Sequence, residues 1–213
     1  MDLGLHHFLD SVRVRSRAKH LSTYEDLAAA LDCFLKHRRR SVRTLRASEL
    51  RSFIAYWYLR HHHPLASGGA HRFCAALQVL VRWLAADRPT PRALSLCREM
   101  TRVARQTARA ARVSELLESA LPVRWKTPGV AVEDGYWEVV FRGDAHVVLR
   151  PLGGKQPLGP VNLPAAVVRV LSPGAILNLQ LVESGRSWDV LDHGLCYPSV
   201  AAPALRTASP TPA

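Results

Sequence analysis

His20–Arg40 reads HLSTYEDLAAALDCFLKHRRR, and the first half of the chain is organised around it. Ser22 followed by Glu25 has the spacing of a capping box, in which each side chain satisfies an orphan amide at a helix start. Tyr24, Leu27, Ala28, Leu31, Phe34 and Leu35 then recur at helical spacing on one face. Lys36, Arg38, Arg39 and Arg40 crowd the far end, where cations suit the negative pole of the helix dipole. The stretch predicts a core helix with a phosphate-seeking tip.

Its neighbours have the same texture. Leu5, Phe8, Leu9 and Val12 predict a helix from Leu5 to about Ser16, with Arg13, Arg15, Arg17 and Lys19 on the approach to the next one. A third helix begins near Ser48, sets Leu50, Phe53, Ile54, Trp57 and Tyr58 on one stripe, and ends around Arg60–His63. A fourth opens near Ser67 and carries Phe73, Leu77, Leu80 and Leu84, until Asp87-Arg88-Pro89 breaks it. Four amphipathic helices with short connections predict a four-helix, orthogonal bundle over residues 1–88.

These residues resemble the N-terminal core-binding (SAM-like) domain of tyrosine recombinases and phage integrases. The likeness covers roughly Leu5 to Ala86 and rests on Ser22, Thr23, Tyr24, Leu27, Leu31, Phe34, Leu50, Leu77, Val81, Trp83 and Leu84. Thr23 and Tyr24 sit closer together than that family's pattern has them. The resemblance implies a bundle that lies on duplex DNA and meets phosphates at helix starts. By position, the contacts would be Lys19, Ser22 and Thr23 at the second helix and Ser67, His71 and Arg72 at the fourth. Helix N-termini offer free amides and a positive dipole end to phosphate oxygens, although Ser22 and Ser67 can equally serve as plain caps. The family's catalytic half is missing. Nothing from Pro89 onward contains His-x-x-Arg, and Tyr197 lacks an activating cluster, so no strand cleavage and no enzymatic activity are expected.

Charge points the same way. Of 213 residues, 48% are apolar and 22% charged, as in a globular chain, and the net charge is +12. Residues 1–126 hold 23 Lys plus Arg against 10 Asp plus Glu, whereas residues 127–213 hold 6 against 7. A polyanionic partner is therefore expected for the first part. No signal peptide and no membrane-length apolar run are visible, so no membrane partner is expected. Cys33, Cys74, Cys97 and Cys196 lie far apart with no C-x-x-C pair, which suits buried, reduced thiols in a cytoplasmic protein.

Residues 89–121 form a basic extension. Thr90-Pro91 starts a fifth helix in which Arg98, Arg102, Arg105, Arg109 and Arg112 step by four, three, four and three, and so share one face. Glu99 is the only acid between Arg92 and Ser114. Such a stripe suits a phosphate backbone; the alternatives are a solvated face or acids from another element. A separate short helix is expected from Ser114 to Leu121. With Arg38, Arg39, Arg40 and Arg43, the stripe completes the candidate DNA contacts.

After Trp125 the texture changes. Tyr136–Arg142 and His146–Leu152 predict a hairpin turning at Gly143-Asp144. Val161–Leu163 is a third run, Pro164 to Leu171 is a short helix or strand, and Ile176–Val182 with Trp188–Leu195 form a second hairpin. Residues 122–199 thus predict a small five-stranded β-barrel, SH3-like or OB-like. Its neutral charge fits a protein partner or self-association better than DNA. Residues 200–213, AAPALRTASPTPA in their setting after Val200, suggest a disordered tail.

Three motifs are set aside. His61-His62-His63 has no second ligand cluster and reads as a solvated helix end, as does His6-His7. Gly153-Gly154-Lys155 lacks the spacing of a phosphate loop. No cofactor or metal is expected. The whole is expected to be an α+β, non-catalytic binder of double-stranded DNA, or alternatively a scaffold whose arginines meet an acidic protein.

Overall fold

The computed structural model describes residues 1–15, 21–61, 69–87, 91–121 and 132–208. The protein is α+β and divides into two compact units, Met1–Ala108 and Arg109–Ala213. That boundary falls within one helix. The basic extension expected at 89–121 is therefore shared between the units.

The first unit holds α1 (Leu3–Arg15), α2 (Leu21–Arg38), a 3-10 turn (Val42–Thr44), α3 (Ala47–Ser52), α4 (Tyr58–His61), α5 (Gly69–Asp87) and the first part of α6 (Pro91–Ala120). The stripe read from α2 is its buried face: Leu27, Ala28, Leu31, Phe34 and Leu35 are all in the core, and Tyr24 at its start is half-buried. α1 packs on α2 through Leu5, Phe8, Leu9 and Val12, and α2 packs in turn on α5. The Phe8 ring meets Trp83 of α5 edge-on at 5.7 Å, and Phe34 meets Phe53 at 5.3 Å. Between α3 and α4, residues Phe53–Trp57 wind as a π-helical segment, with the Tyr58 N–H donating to the carbonyl of Phe53. This wider turn leaves Phe53, Ile54, Ala55, Tyr58 and Leu59 all buried.

The capping box read at Ser22 is not made. α2 is already helical at Leu21, Ser22 is exposed, and the Glu25 carboxylate instead meets the Arg13 guanidinium of α1 at 3.0 Å. A cation from another helix outcompetes a local amide, which sequence spacing cannot reveal. Glu49 does act in the expected local way: its Oε2 accepts the backbone N–H of Arg46 at 2.9 Å, at the entry to α3.

The second unit holds the remainder of α6 with β1 (Val132–Arg142), β2 (His146–Pro151), β3 (Leu158–Asn162), α7 (Ala165–Val170), β4 (Ile176–Ser184), β5 (Ser187–Tyr197) and α8 (Ala202–Ala208). The strands hydrogen-bond in the order β1-β2-β3-β5-β4, and β4 returns to β1, so the sheet closes on itself. All neighbours are antiparallel except β3 and β5. Trp137, Val139, Val147, Leu149, Val161, Leu177, Leu179 and Leu181 fill the interior from alternating positions. Gly185, at φ +65°, makes the tight turn between β4 and β5 that an L-residue adopts only at a cost. The ambiguous run Pro164–Leu171 is helical, and the Arg142 guanidinium donates to the carbonyls of Arg169 and Leu171 at its C-terminal end.

Two expectations are corrected. The fifth helix does not stop before Ser114: α6 runs unbroken for 30 residues, because the Ser114 hydroxyl donates back to the Ala110 carbonyl at 3.2 Å instead of capping a new helix. The tail expected to be disordered is ordered up to residue 208, where α8 buries Leu205 completely.

Candidate functional site

α6 positions the largest group of the basic residues. Met100, Val103, Ala104, Thr107, Ala110, Ala111, Val113 and Leu117 take its buried face, which leaves Arg98, Arg102, Arg105, Arg109 and Arg112 exposed. At 1.5 Å per residue the part of the stripe in the first unit, Arg98 to Arg105, is about 10 Å long. Arg98, Arg102 and Arg105 belong to the first unit and have no ion pair among the described residues. Arg109 and Arg112 belong to the second and are engaged: Arg109 donates to Ser172 Oγ at 2.7 Å, and Arg112 meets Glu115 at 2.9 Å. Glu99 does not neutralise the stripe, since its carboxylate is paired with Arg51 of α3.

The sequence reading missed Arg82. It is exposed on α5 and lines a small groove with Gln78 of α5 and Thr101 of α6. Thr101 stands three residues after Arg98 and four before Arg105, so Arg82 extends the stripe sideways onto a second helix. The signal was weak because only the packing of α5 on α6 brings that arginine alongside.

A second basic group follows the C-terminus of α2. Arg38, Arg39, Arg40 and Arg43 are all exposed. Arg38 lies over the Phe34 ring at 5.7 Å, and Arg40 Nε meets Glu49 Oε1 at 3.3 Å. The helix-start contacts do not join this group. Ser22 and Thr23 stand at the opposite end of α2, about 24 Å away along its axis. Thr23 is half-buried, and Arg72 is exposed near the start of α5, where His71 also lies. Lys19 and Ser67 lie outside the described residues.

The acids of the first unit are nearly all committed. Asp2 accepts the backbone N–H groups of Gly4 and Val42, at 2.8 and 3.3 Å. Asp10 and Glu25 meet Arg13, Asp32 meets Lys36, Glu49 meets Arg40, and Glu99 meets Arg51. Among acids with described side chains in this unit, Asp26 alone has no such partner. Meanwhile the unit carries 19 Lys plus Arg against 8 Asp plus Glu, and the second unit 10 against 9.

Among the described residues, no three His, Cys, Asp or Glu side chains are grouped to hold a metal ion. Burial pushes the Cys196 thiol up, so that it stays protonated, whereas Cys33, expected to be buried, is exposed on the outer face of α2. His61 closes α4 with its ring stacked on Trp57 at 4.4 Å and its Nδ1 2.8 Å from the Trp57 carbonyl oxygen; His62 and His63 lie outside the described residues. Tyr197 is buried at the end of β5. No helix among the described residues is long and apolar enough to cross a membrane. Searches against protein-family models, curated proteins and solved structures find no match to this chain.

Proposed function

We propose that this is a non-catalytic DNA-binding protein that holds duplex DNA mainly through its phosphates. The observation that carries this reading is the uncompensated charge of the first unit. Apart from Asp26, its acids with described side chains are spent on internal partners, while Arg82, Arg98, Arg102 and Arg105 stand exposed and unpaired among the described residues. Arginine forks suit phosphate oxygens.

In this reading the first unit is a recombinase-like core-binding bundle. The closed sheet of the second unit is a small SH3-like or OB-like barrel whose near-neutral charge suits a protein partner or a second copy. A scaffold role with an acidic protein is the competing reading, and binding to DNA separates the two.

The test is a salt titration of binding to a short labelled duplex. A steep fall of log K with log salt is expected, by about 0.9 for each phosphate neutralised. Replacing Arg98, Arg102 and Arg105 together by Ala is expected to flatten the slope by about 2.7. No binding to the duplex at low salt defeats the DNA reading and favours the acidic protein.

A further inference from the structure

We propose that the turn from Arg38 to Arg46 is a second, preorganised phosphate-binding site for the DNA backbone, with Glu49 as its positioning residue. The proposal rests on the duplex-binding reading and adds to it a site separate from the α6 stripe.

The backbone of this turn is fixed on every side. At the end of α2 the Arg39 N–H donates to the Lys36 carbonyl at 3.1 Å, and the Arg40 N–H donates to the Leu35 carbonyl at 3.0 Å. That pair of bonds reverses the chain through Arg39 at φ +51°, a position that ordinarily favours glycine. The Ser41 N–H donates to Thr44 Oγ1 at 3.2 Å, and the Val42 N–H donates to Asp2. Glu49 closes the far end with both oxygens, Oε2 on the Arg46 N–H at 2.9 Å and Oε1 facing Arg40 Nε at 3.3 Å.

What this frame presents is cationic. Arg39, Arg43 and Arg46 are exposed and have no ion pair among the described residues, and Arg38 is steadied over the Phe34 ring. Two carboxylates face the turn, and both are engaged: Glu49 by Arg40 and the Arg46 amide, and Asp2 by the amides of Gly4 and Val42. Arginines gathered this closely repel one another, so holding them on a fixed turn costs stability unless a polyanion answers them. An arginine at a left-handed position adds to that cost. Guanidinium forks carried on a fixed backbone lose less freedom on meeting phosphate oxygens than forks on a loose loop.

Glu49 makes the proposal testable by sign. If net charge alone set affinity, Glu49→Gln would tighten DNA binding by removing a negative charge beside the turn. If Glu49 positions the turn, the same change weakens binding, because the hold on Arg40 is lost. Gln can still accept the Arg46 N–H, which preserves the entry to α3. Glu49→Asp keeps the charge but shortens the reach, so a loss of affinity there reports position alone.

The experiment is the salt titration with a short fluorescein-labelled duplex, run on wild type, Arg39→Ala with Arg43→Ala, Glu49→Gln, Glu49→Asp, and Arg102→Ala with Arg105→Ala. Melting curves establish that each variant is folded. The Arg39/Arg43 pair is expected to flatten the slope by about 1.8, at roughly 0.9 per phosphate lost. Both Glu49 variants are expected to weaken low-salt binding several-fold. Tighter binding by Glu49→Gln, or an unchanged slope for the Arg39/Arg43 pair, overturns the proposal. If the α6 pair loses slope while the Arg39/Arg43 pair does not, this site falls and the duplex reading stands. If wild type binds no duplex, both fall.

Discussion

Asp32 of α2 and Asp2, thirty positions earlier, are joined directly: Asp32 Oδ1 accepts the backbone N–H of Asp2 at 2.7 Å. Lys36 Nζ lies 2.8 Å from the other oxygen of Asp32, while the Asp2 carboxylate holds the amides of Gly4 and Val42. Two carboxylates thus tie the start of α1 to the last half of α2 and to the turn beyond it.

Burial alone would raise the Asp32 pKa, but the Lys36 hydrogen bond, the Asp2 amide and the Lys36 charge together hold it below its ordinary value of 3.8. A carboxyl whose pKa is lower in the folded than in the unfolded state stabilises the fold above the unfolded value. That contribution is lost as pH falls through the folded one. Asp32→Asn is expected to lower stability at neutral pH by about 1.5–3 kcal/mol, as for a hydrogen bond to a charged group. The gap should narrow progressively below about pH 5. Urea midpoints of both proteins across this range check it; a gap that does not change with pH would count against the ionised Asp32.

Gly4 is buried where α1 crosses the 3-10 turn, and a β-carbon built on it would lie 2.3 Å from Val42 Cγ1. Alanine is the better helix former, yet Gly4→Ala is expected to destabilise by about 1–3 kcal/mol, the usual cost of overpacking. Because the clash involves a branched side chain with little freedom, Val42→Ala in the same chain should recover part of the loss. A double-mutant cycle by chemical denaturation measures that coupling.

Arg39 presents the opposite case. At φ +51° a β-carbon costs about 1–2 kcal/mol that glycine avoids, although glycine gives back part of this through its freedom in the unfolded chain. Arg39→Gly is expected to leave stability unchanged or raise it by up to about 1 kcal/mol, whereas β-branched Arg39→Val should lower it. Thermal denaturation of the two variants side by side decides, and a loss with glycine would contradict the left-handed turn.

The parts of this fold that could be read from the sequence are those set by local periodicity. Leu27, Leu31, Phe34 and Leu35 repeat at helical spacing and are buried, and Gly185 marks the turn between two alternating runs. The α6 arginines are legible for the same reason, since spacing alone puts them on one face. What escaped the reading depends on partners distant in the chain. Glu25 has the right spacing for a local cap but finds Arg13. Arg82 becomes part of the basic face only because α5 packs on α6. Pro164–Leu171 mixes β-branched residues with a proline start, and neither outweighs the other until the run is seen as a helix held by Arg142.

Leu205 illustrates how composition misleads. The segment after Pro198 is rich in Ala, Pro and Thr, yet one fully buried leucine anchors α8. Leu205→Ala is expected to cost about 2–4 kcal/mol, in the range for large-to-small changes in a core. The readout is the unfolding midpoint of the full chain. A loose tail would leave that midpoint where it was.

Ser114 carries the last expectation. Its Oγ accepts the backbone N–H of Cys196 at 2.8 Å while its own proton goes to the Ala110 carbonyl. Both halves of the hydroxyl are in use, which accounts for a serine in mid-helix where the sequence suggests a boundary. Ser114→Ala improves helix propensity but strips the Cys196 amide of its acceptor, next to a side chain that is wholly buried. An amide left unsatisfied in that position costs about 1–3 kcal/mol, more than the helix gains. The variant should therefore be less stable overall, and its Cys196 amide should exchange with solvent faster than in wild type. Unchanged protection at Cys196 would mean that the bond contributes nothing to the second unit.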